Sequence, residues 1–201
     1  MASDKEYTTQ EKVEDFLKQG ALDYSLTDYI LAVQEYIEGF TGRVFKACGV
    51  ASARLFDGKG KQELLIDDCI DVTKVELGND SYGNTFTEVS STGQDRYLLL
   101  PNNYSVRNVP ITKIALTSRL FDFGMQNAKI TAKWGYSEEA PADIAFVATV
   151  LVAGMYNAKN SINGINSETI GSYSISYNNQ QQWDAYNRAL ALLNRYKTNF
   201  I

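Results

Sequence analysis

The chain carries two kinds of hydrophobic spacing, and they fall in separate stretches. Near the start, Val13, Phe16 and Leu17 share one face of a 3.6-residue period. Thr8 stands three residues before Glu11, the spacing at which a hydroxyl and a carboxylate satisfy each other's unpaired helix-start amides. Gly20 offers a left-handed stop, so a helix is expected over about residues 11–18. A second helix is expected after Ser25, with Asp28 three positions on. Its face is Ile30, Val33, Ile37 and Phe40, and Thr41-Gly42-Arg43 closes it.

The period then shortens to two. Residues 53–57 and 63–67 flank Gly58-Lys59-Gly60 and predict a hairpin. Residues 72–77 alternate, 78–93 are polar and read as a long loop or hairpin tip, and 97–100 form a short apolar strand. A further strand pair is expected at 111–118 and 128–134, with 121–127 between. Helical spacing returns after Pro141, a residue suited to the first turn. Residues 142–159 are apolar on nearly all faces, which predicts a central helix buried on several sides. After a loop at 160–167, residues 170–177 alternate, and a last helix runs over about 181–197. Trp183, Tyr186, Leu190 and Leu193 lie near one face of it, and Arg195 and Lys197 suit its C-terminal dipole. The pattern as a whole predicts an α+β chain: a mainly helical core of about four helices, at 1–50 and 136–201, with an inserted β-rich section at 51–135.

Composition narrows the chemistry. The 201 residues include no histidine, which removes Ser-His-Asp and Cys-His catalysis, histidine metal sites and the usual base near neutral pH. Gly58-Lys59-Gly60-Lys61 lacks the earlier glycine and the following Ser/Thr of a phosphate-binding loop, so a turn is the simpler reading. Asp67, Asp68 and Asp71 offer oxygen ligands but do not fit a calcium-loop spacing; at a strand end such residues cap turns and blunt edges. No catalytic, cofactor or metal site is therefore expected. Cys48 and Cys69 read as small buried hydrophobes.

The net charge of -5 is uneven: residues 1–50 carry -4, residues 51–140 carry -2 and residues 141–201 carry +1. No basic block exists to neutralise a phosphate backbone, so tight nucleic-acid binding is disfavoured. The first ten residues lack an apolar stretch, predicting no secretory leader. The longest apolar run, 144–156, is short of the ~20 residues a membrane span needs. Thirteen tyrosines point to protein contact instead, because each joins apolar area to a hydrogen-bonding tip.

Four stretches, in order, resemble the head–tail connector (adaptor) proteins of tailed bacteriophages. Tyr36-Ile37-Glu38-Gly39-Phe40-Thr41-Gly42-Arg43-Val44-Phe45 is similar to the helix end near the start of such proteins. Arg54-Leu55-Phe56-Asp57-Gly58 opens the strand section. Trp134-Gly135-Tyr136 leading to Ala140-Pro141-Ala142-Asp143-Ile144 is similar to the entry to their central helix. The run from Ser167 to Tyr177 is similar to the segment before their terminal helix, with Ser172 where an acidic residue is common.

The resemblance implies a virion structural protein of the neck, made in the host cytoplasm, with no enzymatic role and no cofactor. It implies a ring of identical subunits, twelvefold like the portal on which it docks. The implied partners are the portal protein and a downstream neck or tail protein, with DNA only passing through the channel and no membrane. Tyr173 and Tyr177, with Trp183, Tyr186, Arg188, Arg195 and Tyr196 of the last helix, are the candidates for contact with the portal or a neighbouring subunit. Other readings are a different neck, tail-completion or head-closure component, a small metal-dependent hydrolase built on Asp67, Asp68 and Asp71, and a ligand-binding module.

Overall fold

The computed structural model describes residues 6–18, 20, 25–79, 85–161, 167–170, 173–176 and 179–198. The chain divides into two compact units. One comprises residues 1–43 and 140–201, the other residues 44–139.

In the first unit, α1 spans Gln10–Leu17 and α2 spans Thr27–Thr41. The expected cap on α1 is displaced by one residue. Thr9, not Thr8, accepts the Lys12 amide, at 3.4 Å. The Thr8 hydroxyl is buried and meets the Thr149 hydroxyl at 2.7 Å, so a tertiary partner takes the group that local spacing assigned to the helix start. Lys18, in the left-handed region at φ 54°, ends α1 before Gly20. Gly42, at φ 68°, ends α2 as expected and returns its amide to the Glu38 carbonyl at 2.8 Å. The long helix α4, Ala142–Ser161, buries Ile144, Val147, Ala148, Val150, Leu151, Val152, Ala153 and Tyr156. Those positions leave few faces open, and α1, α2 and α5 (Asn179–Asn194) all pack against it. Val13 of α1, Ile37 of α2 and Leu193 of α5 complete this core. A two-stranded antiparallel ribbon, β7 (Ser167–Ile170) with β8 (Tyr173–Ser176), precedes α5.

The second unit is a six-stranded antiparallel sheet. Its strands are β1 (Ser52–Gly58), β2 (Glu63–Gly78), β3 (Phe86–Glu88), β4 (Tyr97–Leu100), β5 (Ile111–Leu116) and β6 (Gly124–Trp134). A four-residue helix, α3 (Tyr104–Arg107), lies between β4 and β5. The order is β1-β6-β2-β5-β4, with β3 on the end of β2. The central strand β2 runs for 16 residues and changes partners along its length, pairing β5 through Glu63–Cys69 and β6 through Cys69–Leu77.

This sheet overturns the expected mainly helical core: the chain is 33% helical and 34% strand, and a mostly antiparallel sheet of six strands is its dominant feature. The reason lies in β2. Its buried hydrophobic residues are Leu64, Ile66, Cys69, Val72 and Val75, so after Ile66 their spacing is three rather than two. The register shifts between Leu65 and Cys69, between Cys69 and Asp71, and between Val72 and Lys74. Each such bulge adds a residue and resets which side faces the core. A long strand therefore reads in sequence as two short ones with a gap.

Both expected strand pairings also fail. Strands β1 and β2 are joined through Gly58-Lys59-Gly60, but β6 lies between them; β5 and β6 are likewise separated by β2. Gly58 serves close approach here, since a side chain would collide with the Asp122 carbonyl and Asn127. The core of the unit is Leu64, Ile66, Ile111, Ile114, Leu116, Phe121, Ile130 and Trp134 with their neighbours. At about 1.5–3 kcal/mol for each large side chain removed from water, this face drives the sheet together.

Candidate assembly surface

The last helix and the turn that follows it carry most of the residues expected to make contacts. The helix's inner positions, Ala189 and Leu193, are buried, and residues 196–198 beyond it are tied down by polar contacts. The Tyr196 hydroxyl donates to both oxygens of Asp143, at 2.9 and 2.8 Å. Arg43 Nε donates to the Tyr196 carbonyl at 2.7 Å. The Thr198 amide and hydroxyl both reach the Thr41 carbonyl, at 2.9 and 3.0 Å. Lys197 Nζ stands 5.2 Å over the Phe40 ring, which stacks on Tyr36 at 6.1 Å. Tyr196 therefore acts inside its own chain, as an anchor between the end of α5 and the first turn of α4.

Arg188 and Arg195 are different. Both are exposed, and neither makes an ion pair with any described residue. They lie seven residues apart, about two turns, on the outward side that also holds Asn187, Ala191 and Asn194. Tyr173 lies on β8 opposite Ile170. Tyr177 falls outside the described residues, as do the side chains of Trp183 and Tyr186 on α5. Sequence reasoning missed Arg43, Thr41 and Asp143 as the partners of Tyr196 and Thr198. The chain separations of 53 to 157 residues leave no local signal for them.

In the second unit, two stretches of the connector resemblance come together. The Tyr136 amide donates to the Val44 carbonyl at 2.9 Å, and the Ser137 amide to the Phe45 carbonyl at 3.2 Å. The rings of Phe45 and Tyr136 lie 5.6 Å apart. The Cys48 amide donates to the Trp134 carbonyl at 2.9 Å, and Trp134 Nε1 donates to the Ser52 carbonyl at 2.8 Å. Arg54 lies 4.6 Å over the Trp134 ring. The two chain segments that enter and leave this unit are thus stitched side by side.

Glu63, Asp67 and Glu76 of β2 are paired within the sheet. Asp67 pairs with Arg54 at 2.6 Å, across the exposed face. Among the described residues no three His, Cys, Asp or Glu side chains are placed to hold a metal. Cys69 is fully buried, and burial with the nearby Asp68, Asp71 and Asp67 carboxylates pushes its thiol up to about 12, which leaves it un-ionised and inert. Glu76 stands directly opposite Lys129 on β6 and Glu88 on β3. Burial works to raise its carboxyl, but hydrogen bonds and charge from Lys74 at 3.0 Å and Lys129 at 3.1 Å outweigh that and hold it below its usual range. Lys74 also reaches Glu88 at 3.5 Å, offsetting the repulsion of two facing carboxylates. A cavity lined by Leu77, Phe121, Asp122 and Asn127 has about 10 Å³ of free space, the room of one water.

No protein-family model matches the chain, and no curated protein matches it. Among solved structures it is similar to a chain in the neck of an empty GTA (gene transfer agent) particle computed with C6 symmetry. The two are 16% identical with a TM-score of 0.53, and the match covers 94% of this chain and 90% of that one. The likeness shows a shared fold across nearly the whole chain. No described helix is long and apolar enough to cross a membrane.

Proposed function

We propose that this chain is a structural subunit of the neck of a phage-like particle, acting by assembly rather than by turnover. The observation that carries the reading is the fold likeness to a chain of a gene transfer agent neck over 94% of the length. Two further facts support it. The stretches that resemble head–tail connectors are tied to one another in the second unit, Val44-Phe45 against Tyr136-Ser137. The chemistry on hand is that of a scaffold, with Asp67 and Glu76 paired to Arg54 and Lys129, a buried inert thiol and no histidine.

The finer form of the proposal is an adaptor: copies of the chain form a closed ring, docked on the portal and offering a platform to the next neck or tail protein. A closed ring needs one surface of each copy to meet a different surface of its neighbour. Sixfold symmetry, as used for the similar neck, is compatible with six or with twelve copies, and we favour twelve, to match a dodecameric portal. The net charge of -5 suits a channel wall that lets DNA pass without gripping it.

Negative-stain electron microscopy of the protein alone and mixed with the portal protein encoded alongside it tests the proposal. Rings, or an added collar on the portal, are expected. A protein that stays monomeric and adds no density to the portal or to a tail component would overturn it.

A further inference from the structure

The outward faces of two helices in the first unit are complementary. Arg188 of α5 and Arg195 in the turn that follows it flank Ala191, the Arg195 amide being bonded to the Leu192 carbonyl at 3.2 Å. On α2, Asp28 and Glu35 flank Leu31 and Ala32, and all four are exposed. Both charge pairs are seven residues apart, which within α2 is a rise of about 10 Å. None of the four charged side chains makes an ion pair with a described residue. Each helix thus shows two like charges at the same spacing, with a small residue between them that permits close approach, and the charges on the two helices are opposite.

We infer that α5 of one copy docks along α2 of the next, pairing Arg188 with Glu35 and Arg195 with Asp28, with Ala191 against Leu31 and Ala32. The inference rests on the ring proposed above and supplies its subunit contact. The antiparallel sense is the favourable one, because it sets the negative C-terminal end of α5 beside the positive N-terminal end of α2. The partner is a second copy of this chain because the complement in charge, spacing and apolar centre is present on that copy. The contact is heterologous, the kind that closes a ring.

The test is assembly of the full chain by sedimentation velocity and electron microscopy, at low and at high salt, with portal present and absent. Arg188→Glu with Arg195→Glu should raise the concentration needed for half-assembly about tenfold or more, since attraction becomes repulsion at two points. Added salt should weaken wild-type assembly in the same direction. Adding Asp28→Arg and Glu35→Arg to the reversed arginines should restore assembly, and Arg188→Glu alone should be rescued by Glu35→Arg but not by Asp28→Arg. Exposed positions leave folding nearly unchanged, which the thermal midpoint of each variant checks. Wild-type rings that persist unaltered in the reversed-arginine variant would overturn this contact and leave the ring standing. A wild-type protein that never self-associates, even with portal, would overturn the ring and the contact together.

Discussion

Gly135 is the position where a single methyl group should do the most damage. Its φ of 138° lies in a region that side chains rarely adopt. A Cβ built there would stand 2.7 Å from the Ala47 nitrogen, 3.0 Å from the Ala47 Cβ and closer still to the Ala47 Cα. The obstacle is backbone, and that backbone is held: the Gly135 amide donates to the Asp68 carbonyl at 2.8 Å, and the next residue back, Trp134, receives the Cys48 amide at 2.9 Å. Gly135→Ala therefore meets two costs, about 1–3 kcal/mol for the strained backbone and about 1–3 kcal/mol for crowding a packed contact. The expected loss is about 4 kcal/mol. At about 2–4 °C per kcal/mol for a chain of this length, the thermal midpoint should fall by roughly 8–16 °C. The internal control is Gly154→Ala on α4, where the site is exposed and nothing lies within 4 Å. That substitution should stabilise the chain by about 0.5–1 kcal/mol, because alanine has less helix entropy to lose. Far-UV circular dichroism melts of the three proteins decide the matter. A Gly135→Ala midpoint within about 2 °C of wild type would refute the account of how the two segments are stitched.

Tyr196→Phe removes the hydroxyl that bonds both Asp143 oxygens and should cost about 1–3 kcal/mol in urea unfolding, with an unchanged midpoint counting against the anchor. Thr149→Val leaves the buried Thr8 hydroxyl without its partner and should cost about 1–3 kcal/mol in the same assay. Thiol titration of the native protein should label Cys48 quickly and Cys69 only on unfolding, since Cys69 is buried with its thiol near 12; rapid labelling of both would contradict this. The Glu76 carboxyl is held lower in the folded chain than its ordinary value of 4.5, so its contribution is present above that value and lost as pH falls through the lower folded one. Stability should thus fall in acid, and Glu76→Gln should show a shallower fall; parallel pH profiles for the two proteins would refute the assignment.

What could be read from the sequence follows the range of the interactions. The end of α2 was legible because Gly42 must be left-handed whatever surrounds it, and α4 was legible because apolar residues on most of its faces demand partners on most of its sides. The cap of α1 was misplaced by one residue because Thr8 and Thr9 are equally good caps locally, and Thr149, 141 positions away, decides between them. The balance between helix and sheet was misjudged for the same kind of reason. A bulge leaves no mark that distinguishes it from the end of a strand, so β2 lost its unity, and with it the fact that β5 and β6 meet on its two sides rather than each other. Among the expected contact residues, Arg188, Arg195 and Tyr196 look alike in sequence as polar groups near a helix end. Only the position of Asp143 turns Tyr196 inward as an anchor while the two arginines remain exposed.

The residues that carried the resemblance to head–tail connectors are, in this structure, pins of the fold. Gly42 stops a helix, Phe45 packs on Tyr136, Trp134 caps Ser52, and Asp143 holds Tyr196. Phe45 and Trp134 are buried, and Asp143 is half-buried. The residues that would let one copy grip the next, Asp28, Glu35, Arg188 and Arg195, are ordinary surface charges whose only mark is a shared spacing of seven. Such a division is what assembly of identical copies physically requires. The fold must be specified by buried groups that tolerate little change, whereas a contact between exposed helices is set by charge sign and spacing and can be rewritten by two substitutions that complement each other. A fold shared at 16% identity is consistent with that division. It follows that swapping both charge sets at once should lower the thermal midpoint by only about 2–6 °C, the cost of reversing charges at two helix ends, while making the variant unable to co-assemble with wild-type copies. Mixed rings of the two proteins, detected by native mass spectrometry, would show that the contact lies elsewhere.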